Sequence, residues 1–329
     1  MKMTVYALRP DEAELFRAYG AKYNIELVTT PRRLRPENTA LAAGSEAVSI
    51  VATCYLDAQL ARALREQGVK YVLTRTAGYD HIERAAVEES GLRCASVPVY
   101  SQNAVSEHTV LLLLAMVRGL KRQLFDVDRH VFSLPQSHAR ELGSMTVGIF
   151  GTGFIGSQTA RMLSGFGCRL LAYARHPDPR LEGVVSYVPM DELFARSDAL
   201  IFHCALNDST RRLVNRDTIA RMKDGICLVN TARGEIMDFA DVLAALKSGK
   251  VGALATDVFT DEHTFIRRAS VESLDPVLAE LITMDNFLFT PHVAFFTDTA
   301  VDNLIKLTFQ NLLDFASTGS CPNELFLRA

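Results

Sequence analysis

The sequence predicts an α/β protein built from two doubly wound parallel-sheet domains, and three observations lead to this prediction. The chain has 329 residues, about twice the length of an average domain. Short aliphatic runs alternate with helical segments along its length, which is typical of right-handed βαβ units. A glycine-rich turn follows an aliphatic run near the middle of the chain, as in nucleotide-binding sheets.

Composition excludes several classes of protein. Hydrophobic residues make up 48% and charged residues 22% of the chain, which is the balance of a packed globular protein. The 35 basic and 38 acidic side chains give a net charge of −3, so we expect no nucleic-acid partner. The longest apolar run, residues 110–117, is too short to cross a membrane. The six cysteines lack metal-ligand spacing and the first residues lack a signal peptide, so we expect a cytoplasmic, metal-free protein.

The first hundred residues predict five strands with helices between them. Two helices are predicted most clearly, at 56–67 and 81–89, because each is followed by a glycine. The predicted strands are 4–8, 25–28, 48–52, 71–74 and 93–97.

A long apolar helix at about 104–120 separates this series from a second one, and Asn103 is its expected cap. The polar segment 123–143 is expected to be a surface excursion. The chain closes with an amphipathic helix at about 299–316. The second series is predicted to contain strands at 146–150, 169–173, 199–204, 226–230, 252–256 and 287–290, with helices at 154–166, 190–196, 216–222 and 238–247.

The glycine-rich turn is expected to bind a dinucleotide. Gly151 permits a tight turn, Gly153 lets the backbone approach a pyrophosphate, and Gly156 lets the helix pack on its strand. Phe154 and Ile155 open the helix, whose first N–H groups face the phosphates. A tight turn without a ligand is the alternative interpretation.

The residue that reads the adenosine ribose should follow the next strand, about 20 positions further on. That strand is followed by Ala174, Arg175 and His176, so the acid that accepts from the 2′-hydroxyl of NAD is missing. Arg175 could pair with the 2′-phosphate of NADP, or it could be an ordinary surface arginine. The cofactor is therefore NAD(H) or NADP(H), and the sequence favours NADP(H).

Three polar residues follow three different predicted strands: Arg233, Glu262 and His292. The carboxyl ends of parallel strands share one edge, so we expect these side chains to converge. Arg233 can hold a carboxylate and polarise a ketone, and His292 can exchange a proton with the alkoxide. Glu262 can orient the imidazole, and together they fit the reduction of a 2-keto acid by a nicotinamide cofactor.

The motifs around these residues resemble the D-isomer-specific 2-hydroxyacid dehydrogenase family, most closely its D-lactate dehydrogenase branch. They are RTAGYDHI at 75–82, VPVYSQNAVSEHTVLLLLAMVR at 97–118, VGIFGTGFIG at 147–156, VNTARGE at 229–235 and TPHVAFFTDTAV at 290–301. By this resemblance Arg233, Glu262 and His292 occupy the catalytic positions of the family.

The resemblance also implies an architecture and an assembly. Two flavodoxin/Rossmann-like domains would flank an active-site cleft. Residues 1–101 and 296–329 would form the substrate domain, and 102–295 the inserted cofactor domain. The long helix would help to build a homodimer.

Further residues are assigned only by the resemblance. It places the backbone of Ala77 and Gly78 at the substrate carboxylate and Tyr100 in the substrate pocket. The cofactor would contact the backbone of Thr231 and Ala232, and Asp257 would lie near the nicotinamide.

The sequence departs from the family pattern at three places. Ala174 replaces the NAD-selecting Asp, and Phe295–Phe296 replaces a pair that contains Tyr, which favours a more apolar substrate side chain. The segment before Glu262 also differs, so Asp261 is the second choice for the acidic partner of the histidine.

Pyruvate is the leading substrate prediction, with D-lactate as its product. A bulkier 2-keto acid such as phenylpyruvate or 2-ketoisocaproate is one alternative. Another is a nucleotide-sensing binding protein on the same fold, similar to the C-terminal-binding-protein corepressors.

Overall fold

The computed structural model describes residues 1–101, 103–135, 138–266 and 270–326. The chain forms two compact units. The first unit comprises residues 1–101 and 296–329, and the second comprises residues 102–295. No helix in the described ranges is both long enough and apolar enough to span a bilayer.

The first unit contains a six-stranded sheet in the order β13-β5-β4-β3-β1-β2. All neighbouring strands are parallel except β13, which pairs antiparallel with β5. Its strands are β1 (Lys2–Val5), β2 (Glu26–Thr29), β3 (Ala47–Ile50), β4 (Tyr71–Thr74), β5 (Arg93–Ala95) and β13 (Glu324–Leu325).

Helices cover both faces of this sheet, because its central strands are buried on both sides. Val48 and Val72 face one apolar cluster, whereas Ala47 and Leu73 face the other, together with Phe309 of the last helix. Successive side chains of a strand point to opposite faces of the sheet. A strand that is covered on both faces therefore has apolar residues at consecutive positions. The helices are α1 (Ala13–Tyr23), α2 (Ala58–Glu66), α3 (Arg84–Ser90) and α11 (Asp298–Thr318).

The second unit contains a seven-stranded, wholly parallel sheet in the order β12-β11-β10-β9-β6-β7-β8. The winding direction reverses between β6 and β9, so the carboxyl ends of these two strands form the switch point where ligands bind in such sheets. The strands are β6 (Thr146–Phe150), β7 (Arg169–Tyr173), β8 (Ser186–Tyr187), β9 (Ala199–Phe202), β10 (Ile226–Asn230), β11 (Val251–Thr256) and β12 (Phe287–Phe289).

Both faces of the second sheet are also covered. Leu200 and Leu228 face one apolar cluster, and Ile201 and Val229 face the other. The predicted fold class of two doubly wound α/β domains is therefore confirmed. The helices are α4 (Ala104–Val117), α5 (Leu120–Asp128), α6 (Phe154–Ser164), α7 (Met190–Arg196), α8 (Arg216–Ala220), α9 (Phe239–Ser248) and α10 (Pro276–Thr283).

The structure corrects the expectations for residues 104–143. The apolar helix ends at Val117, because Gly119 adopts a left-handed conformation with φ +62° and starts a new helix. Part of the segment expected to be a polar excursion is therefore α5. This segment also exposes large apolar side chains, including Leu124 at 56%, Phe132 at 78% and Leu134 at 92% exposure.

Candidate active site

The glycine turn between β6 and α6 has the shape of a phosphate cradle. Gly151 has φ +100°, and a Cβ atom there would lie 2.8 Å from the carbonyl oxygen of His203. A Cβ atom on Gly156 would lie 1.9 Å from the carbonyl oxygen of Gly151. A Cβ atom on Gly153 would meet no atom of the described residues within 4 Å, so the turn is closed by the protein on one side and open at Gly153.

The amino end of α6 adjoins this opening. Gly153 is its N-cap, and no side chain within the described ranges caps the helix there. Phe154 and Ile155 are its first residues, and Phe154 is 41% exposed. Backbone N–H groups at such an end attract phosphate oxygens, so the turn and the helix fit the pyrophosphate of a dinucleotide.

The segment that follows β7 lies beside the same turn. Ala174 is half-buried, and Arg175 and His176 are exposed to solvent. The Tyr187 hydroxyl lies 2.9 Å from the Thr152 hydroxyl and accepts a hydrogen bond of 2.9 Å from the backbone N–H of Asp178. This tyrosine, which sequence reasoning missed, therefore connects the segment to the glycine turn.

The same segment supplies a carboxylate that the sequence analysis did not consider. Asp178 accepts hydrogen bonds from the Ser157 hydroxyl at 3.2 Å and from the Arg180 guanidinium at 2.9 Å. The hydrogen bonds from Arg180 lower the pKa of Asp178 to about 2. The carboxylate is therefore charged at neutral pH, and Arg180 and Ser157 already hold it.

Arg233 lies in a compact loop directly after β10. The Asn230 side chain shapes this loop by donating to the Arg233 carbonyl at 2.9 Å and accepting from the Ala232 N–H at 3.0 Å. A Cβ atom on Gly234 would lie 2.1 Å from the backbone carbon of Phe259, so only glycine lets the two loops lie this close. The Arg233 loop is thereby packed on the segment that leads to Glu262.

Glu262 and His292 form the acid–imidazole pair of the site. One carboxylate oxygen of Glu262 accepts the backbone N–H of Phe259 at 3.0 Å, and the other is hydrogen-bonded to Nδ1 of His292. Because an ionised carboxylate only accepts, Nδ1 carries a proton, and Nε2 is the nitrogen that can exchange one with a substrate. The two side chains are 22% and 29% exposed, so solvent and small molecules can reach them.

Asp257 holds the backbone around His292. Its side chain is 1% exposed and accepts hydrogen bonds of 2.9 Å from the N–H groups of both Val293 and Ala294. Its carbonyl oxygen accepts the His292 N–H at 2.9 Å. His292 itself has φ +55°, a left-handed conformation that a non-glycine residue keeps only where its surroundings fix it.

Comparisons with known proteins identify the family of the chain. The sequence model described as "D-isomer specific 2-hydroxyacid dehydrogenase, NAD binding domain" matches residues 110–294. The chain belongs to this dehydrogenase family.

Individual relatives cover nearly the whole chain. An aromatic 2-oxoacid reductase of Clostridium sporogenes is 33% identical over 327 residues, 98% of this chain and 99% of the relative. A D-2-hydroxyisocaproate dehydrogenase structure has a TM-score of 0.90, 28% identity and coverage of 99% and 100%. The structure of D-lactate dehydrogenase with NAD+ from Lactobacillus jensenii has a TM-score of 0.86, 27% identity and coverage of 99% of both chains.

Membership of the dehydrogenase family confirms the resemblance seen in the sequence and makes the cofactor a nicotinamide dinucleotide. Within the second unit, the structure brings Glu262 to His292 and leaves Asp261 exposed with φ +53°. Thr231 is buried and its hydroxyl lies 2.8 Å from the Thr109 hydroxyl, so its backbone rather than its side chain is the candidate for a cofactor contact.

The remaining predicted site residues belong to the first unit, except Phe295. Ala77 and Gly78 follow β4, half-buried, and Thr76 donates to the Gly78 carbonyl oxygen at 2.6 Å. Tyr100 follows β5, and its carbonyl oxygen accepts from the Asn303 side chain at 3.0 Å. Phe296 is 50% exposed, with its ring centroid 5.5 Å from the Arg9 guanidinium carbon, and Phe295 in the second unit is half-buried.

Proposed function

We propose that this protein reduces a 2-oxo acid to the D-2-hydroxy acid, reversibly, with NAD(P)H as hydride donor. The observation that carries the proposal is the pairing of Glu262 with His292 beside the Arg233 loop, on the sheet whose first turn is the dinucleotide cradle. This set provides a carboxylate binder, a proton donor and a cofactor site, which are the three requirements of the reaction.

The residues divide the work by their chemistry. The Arg233 guanidinium holds the substrate carboxylate in a two-pronged grip and polarises the neighbouring ketone. His292 gives a proton from Nε2 to the oxygen that becomes the hydroxyl, and takes it back in the reverse direction. Glu262 accepts a hydrogen bond from Nδ1 and so orients the ring with Nε2 toward the substrate. The cofactor supplies the hydride when it is bound.

The cofactor domain in this proposal is residues 102–295, and the substrate domain is residues 1–101 with 296–329. To substrate binding we assign the backbone N–H groups of Ala77 and Gly78, for the carboxylate, and Tyr100. Asp257, Thr231 and Ala232 lie on the nicotinamide side.

The segment after β7 favours NADP(H) over NAD(H). Ala174 carries no charge that would repel a 2′-phosphate, and the exposed Arg175 and His176 offer it a cation and a donor. The nearby carboxylate of Asp178 is held by Arg180, so its charge is partly compensated. We therefore expect NADPH to be accepted alongside NADH.

The substrate side chain is apolar in this proposal. Phe295 and Phe296 bring no hydroxyl to the pocket wall, so an aromatic or branched side chain fits at least as well as the methyl of pyruvate. The relatives named above include an aromatic 2-oxoacid reductase and a hydroxyisocaproate dehydrogenase. Pyruvate remains the first substrate to test, with phenylpyruvate and 2-ketoisocaproate beside it.

A cytoplasmic homodimer is the proposed form of the protein. We assign the dimer contact to the apolar side chains exposed on and after α5, because large exposed apolar areas mark contact surfaces. They are Leu120, Leu124, Phe125, Val127, Val131, Phe132 and Leu134.

The test is a matrix of NADH and NADPH against the three 2-oxo acids, followed by chiral analysis of the product. We expect turnover and a D-hydroxy acid. An absence of turnover across the matrix, with the cofactors still bound, would contradict the enzyme proposal and favour the nucleotide-sensing alternative.

A further inference from the structure

His108 of α4 is a half-buried histidine that the proposed reaction does not use. Its Nε2 lies 3.0 Å from the hydroxyl of Thr290, the first residue after β12, and 3.6 Å from a carboxylate oxygen of Asp257. Its side chain is 16% exposed, and burial lowers its pKa although Asp257 acts in the opposite direction. The imidazole is therefore largely neutral at neutral pH.

The direction of these hydrogen bonds follows from the acceptors. The Thr290 hydroxyl lies 2.5 Å from Oδ1 of Asp257, and an ionised carboxylate only accepts, so the hydroxyl proton points to Asp257. The hydroxyl oxygen must then accept from His108, which fixes the neutral ring with its proton on Nε2. A chain of donors thus runs from His108 through Thr290 to Asp257.

The end of this chain is the backbone of the catalytic loop. The same Asp257 carboxylate accepts the N–H groups of Val293 and Ala294, and its carbonyl accepts the N–H of His292. His292 has φ +55°, so its left-handed backbone depends on these contacts. If Thr290 stops donating, Oδ1 loses its shortest hydrogen bond, and the carboxylate is held less firmly by Val293 and Ala294 alone among these three donors.

We propose that His108 is a positioning residue that holds His292 in place through Thr290 and Asp257. The inference rests on the proposed reductase function. A histidine that only filled space in α4 would not need a hydrogen bond to a hydroxyl that itself donates to a charged carboxylate. The next residue, Thr109, also contacts a site loop, through the Thr231 hydroxyl at 2.8 Å, so α4 braces two loops of the site with consecutive side chains.

Two amide substitutions of different length distinguish a positioning role of His108 from a simple need for a polar side chain. His108→Gln keeps a donor at the distance of Nε2, whereas His108→Asn has a side chain too short to reach Thr290. We expect kcat for 2-oxo acid reduction to fall about 10- to 100-fold in His108→Asn, because small misplacements of a catalytic group have effects of this size. His108→Gln should stay within about threefold of wild type, and the Kd for NADH should be unchanged in both variants.

A second pair of variants tests the middle of the chain. Thr290→Val removes the hydroxyl and Thr290→Ser keeps it, so only the first should lower kcat. The double variant His108→Asn/Thr290→Val should be no slower than Thr290→Val alone, because both changes break the same chain. Thr308→Val is the control for threonine replacement, since Thr308 is buried and its hydroxyl donates to the Leu304 carbonyl oxygen within the same helix, α11.

Hydrogen exchange of residues 290–298 supplies a readout that does not depend on activity. We expect faster exchange of this segment in His108→Asn and Thr290→Val, but not in His108→Gln or Thr290→Ser. Faster exchange confined to α4, or equal kcat values in His108→Asn and His108→Gln, would overturn the proposal. An inactive wild type would instead refute the reductase function, while the exchange data would still decide whether the contact chain holds the loop.

Discussion

Gly153→Ala provides a direct test of the dinucleotide cradle. A methyl group at this position meets no atom of the described residues within 4 Å, and the backbone has φ −67° and ψ −162°, an extended conformation that alanine tolerates. Alanine is a poorer N-cap than glycine but restricts the unfolded chain more, so the two effects oppose each other. We expect the free energy of unfolding to change by less than about 1 kcal/mol.

The effect on cofactor binding should be much larger. The methyl group would occupy the opening through which the Gly153 backbone approaches the pyrophosphate. A hydrogen bond to a charged group contributes about 1.5–3 kcal/mol, so the loss of one should raise the Kd for NADH about 10- to 100-fold. At saturating cofactor kcat should be nearly unchanged, because His292 and Glu262 are untouched.

The assay is a fluorescence titration with NADH, accompanied by thermal unfolding. Gly165→Ala is the matched control, because Gly165 lies at the other end of α6 and its added Cβ would be 3.4 Å from the Met162 carbonyl oxygen. This control should leave both NADH affinity and unfolding temperature near their wild-type values. An unchanged Kd for NADH in Gly153→Ala would refute the placement of the pyrophosphate. Equal losses of NADH affinity in both variants would mean that the titration reports the stability of α6 rather than the cradle.

Three further substitutions test individual roles. His292→Ala should lower kcat by about 10²- to 10⁴-fold with the cofactor still bound, and unaltered turnover would remove the acid/base assignment. Arg233→Lys should raise KM for the 2-oxo acid about tenfold or more, since lysine lacks the planar fork; an unchanged KM in steady-state assays would contradict this. Arg175→Ala should weaken NADPH binding about tenfold more than NADH binding, and equal effects in cofactor titrations would remove the preference for NADP(H).

Strands were predictable where the sheet is buried on both faces. The runs at 146–150, 169–173 and 226–230 match β6, β7 and β10 at both ends, because burial on two sides requires a continuous aliphatic sequence. β8 and β13 were missed, since each has only two residues and pairs at one edge of its sheet. A strand of two residues is too short to show a periodic pattern in the sequence.

Helices were missed where their sequence interrupts the helical spacing of apolar residues. α1 contains Gly20, whose position is explained by packing, because a Cβ there would lie 2.8 Å from Leu27. α5 begins directly after Gly119, so this region indicated the end of the long apolar helix but not the start of a second helix. α10 begins at Pro276 with the Asp275 side chain as its cap, a signal that the sequence does contain and that could have identified it.

The site, like the fold, was predictable only in part. The neighbourhood of Glu262 and His292 could be inferred, because both follow adjacent strands of one sheet. The supports around them could not, since the contacts of His108 and Thr290 depend on the register of α4 on the sheet, which a single sequence does not record.

The geometry of His292 links these supports to the chemistry. A left-handed backbone at a non-glycine residue costs about 1–3 kcal/mol, and each hydrogen bond to a charged group contributes about 1.5–3 kcal/mol. The bonds from Val293 and Ala294 to Asp257 are therefore large enough to offset that strain. Because Nδ1 meets Glu262 in this conformation, the end of β11 and the loop after β12 act as one element. The buried Asp257 carboxylate thus holds the histidine that we propose as the acid/base group, without any need to touch the substrate itself.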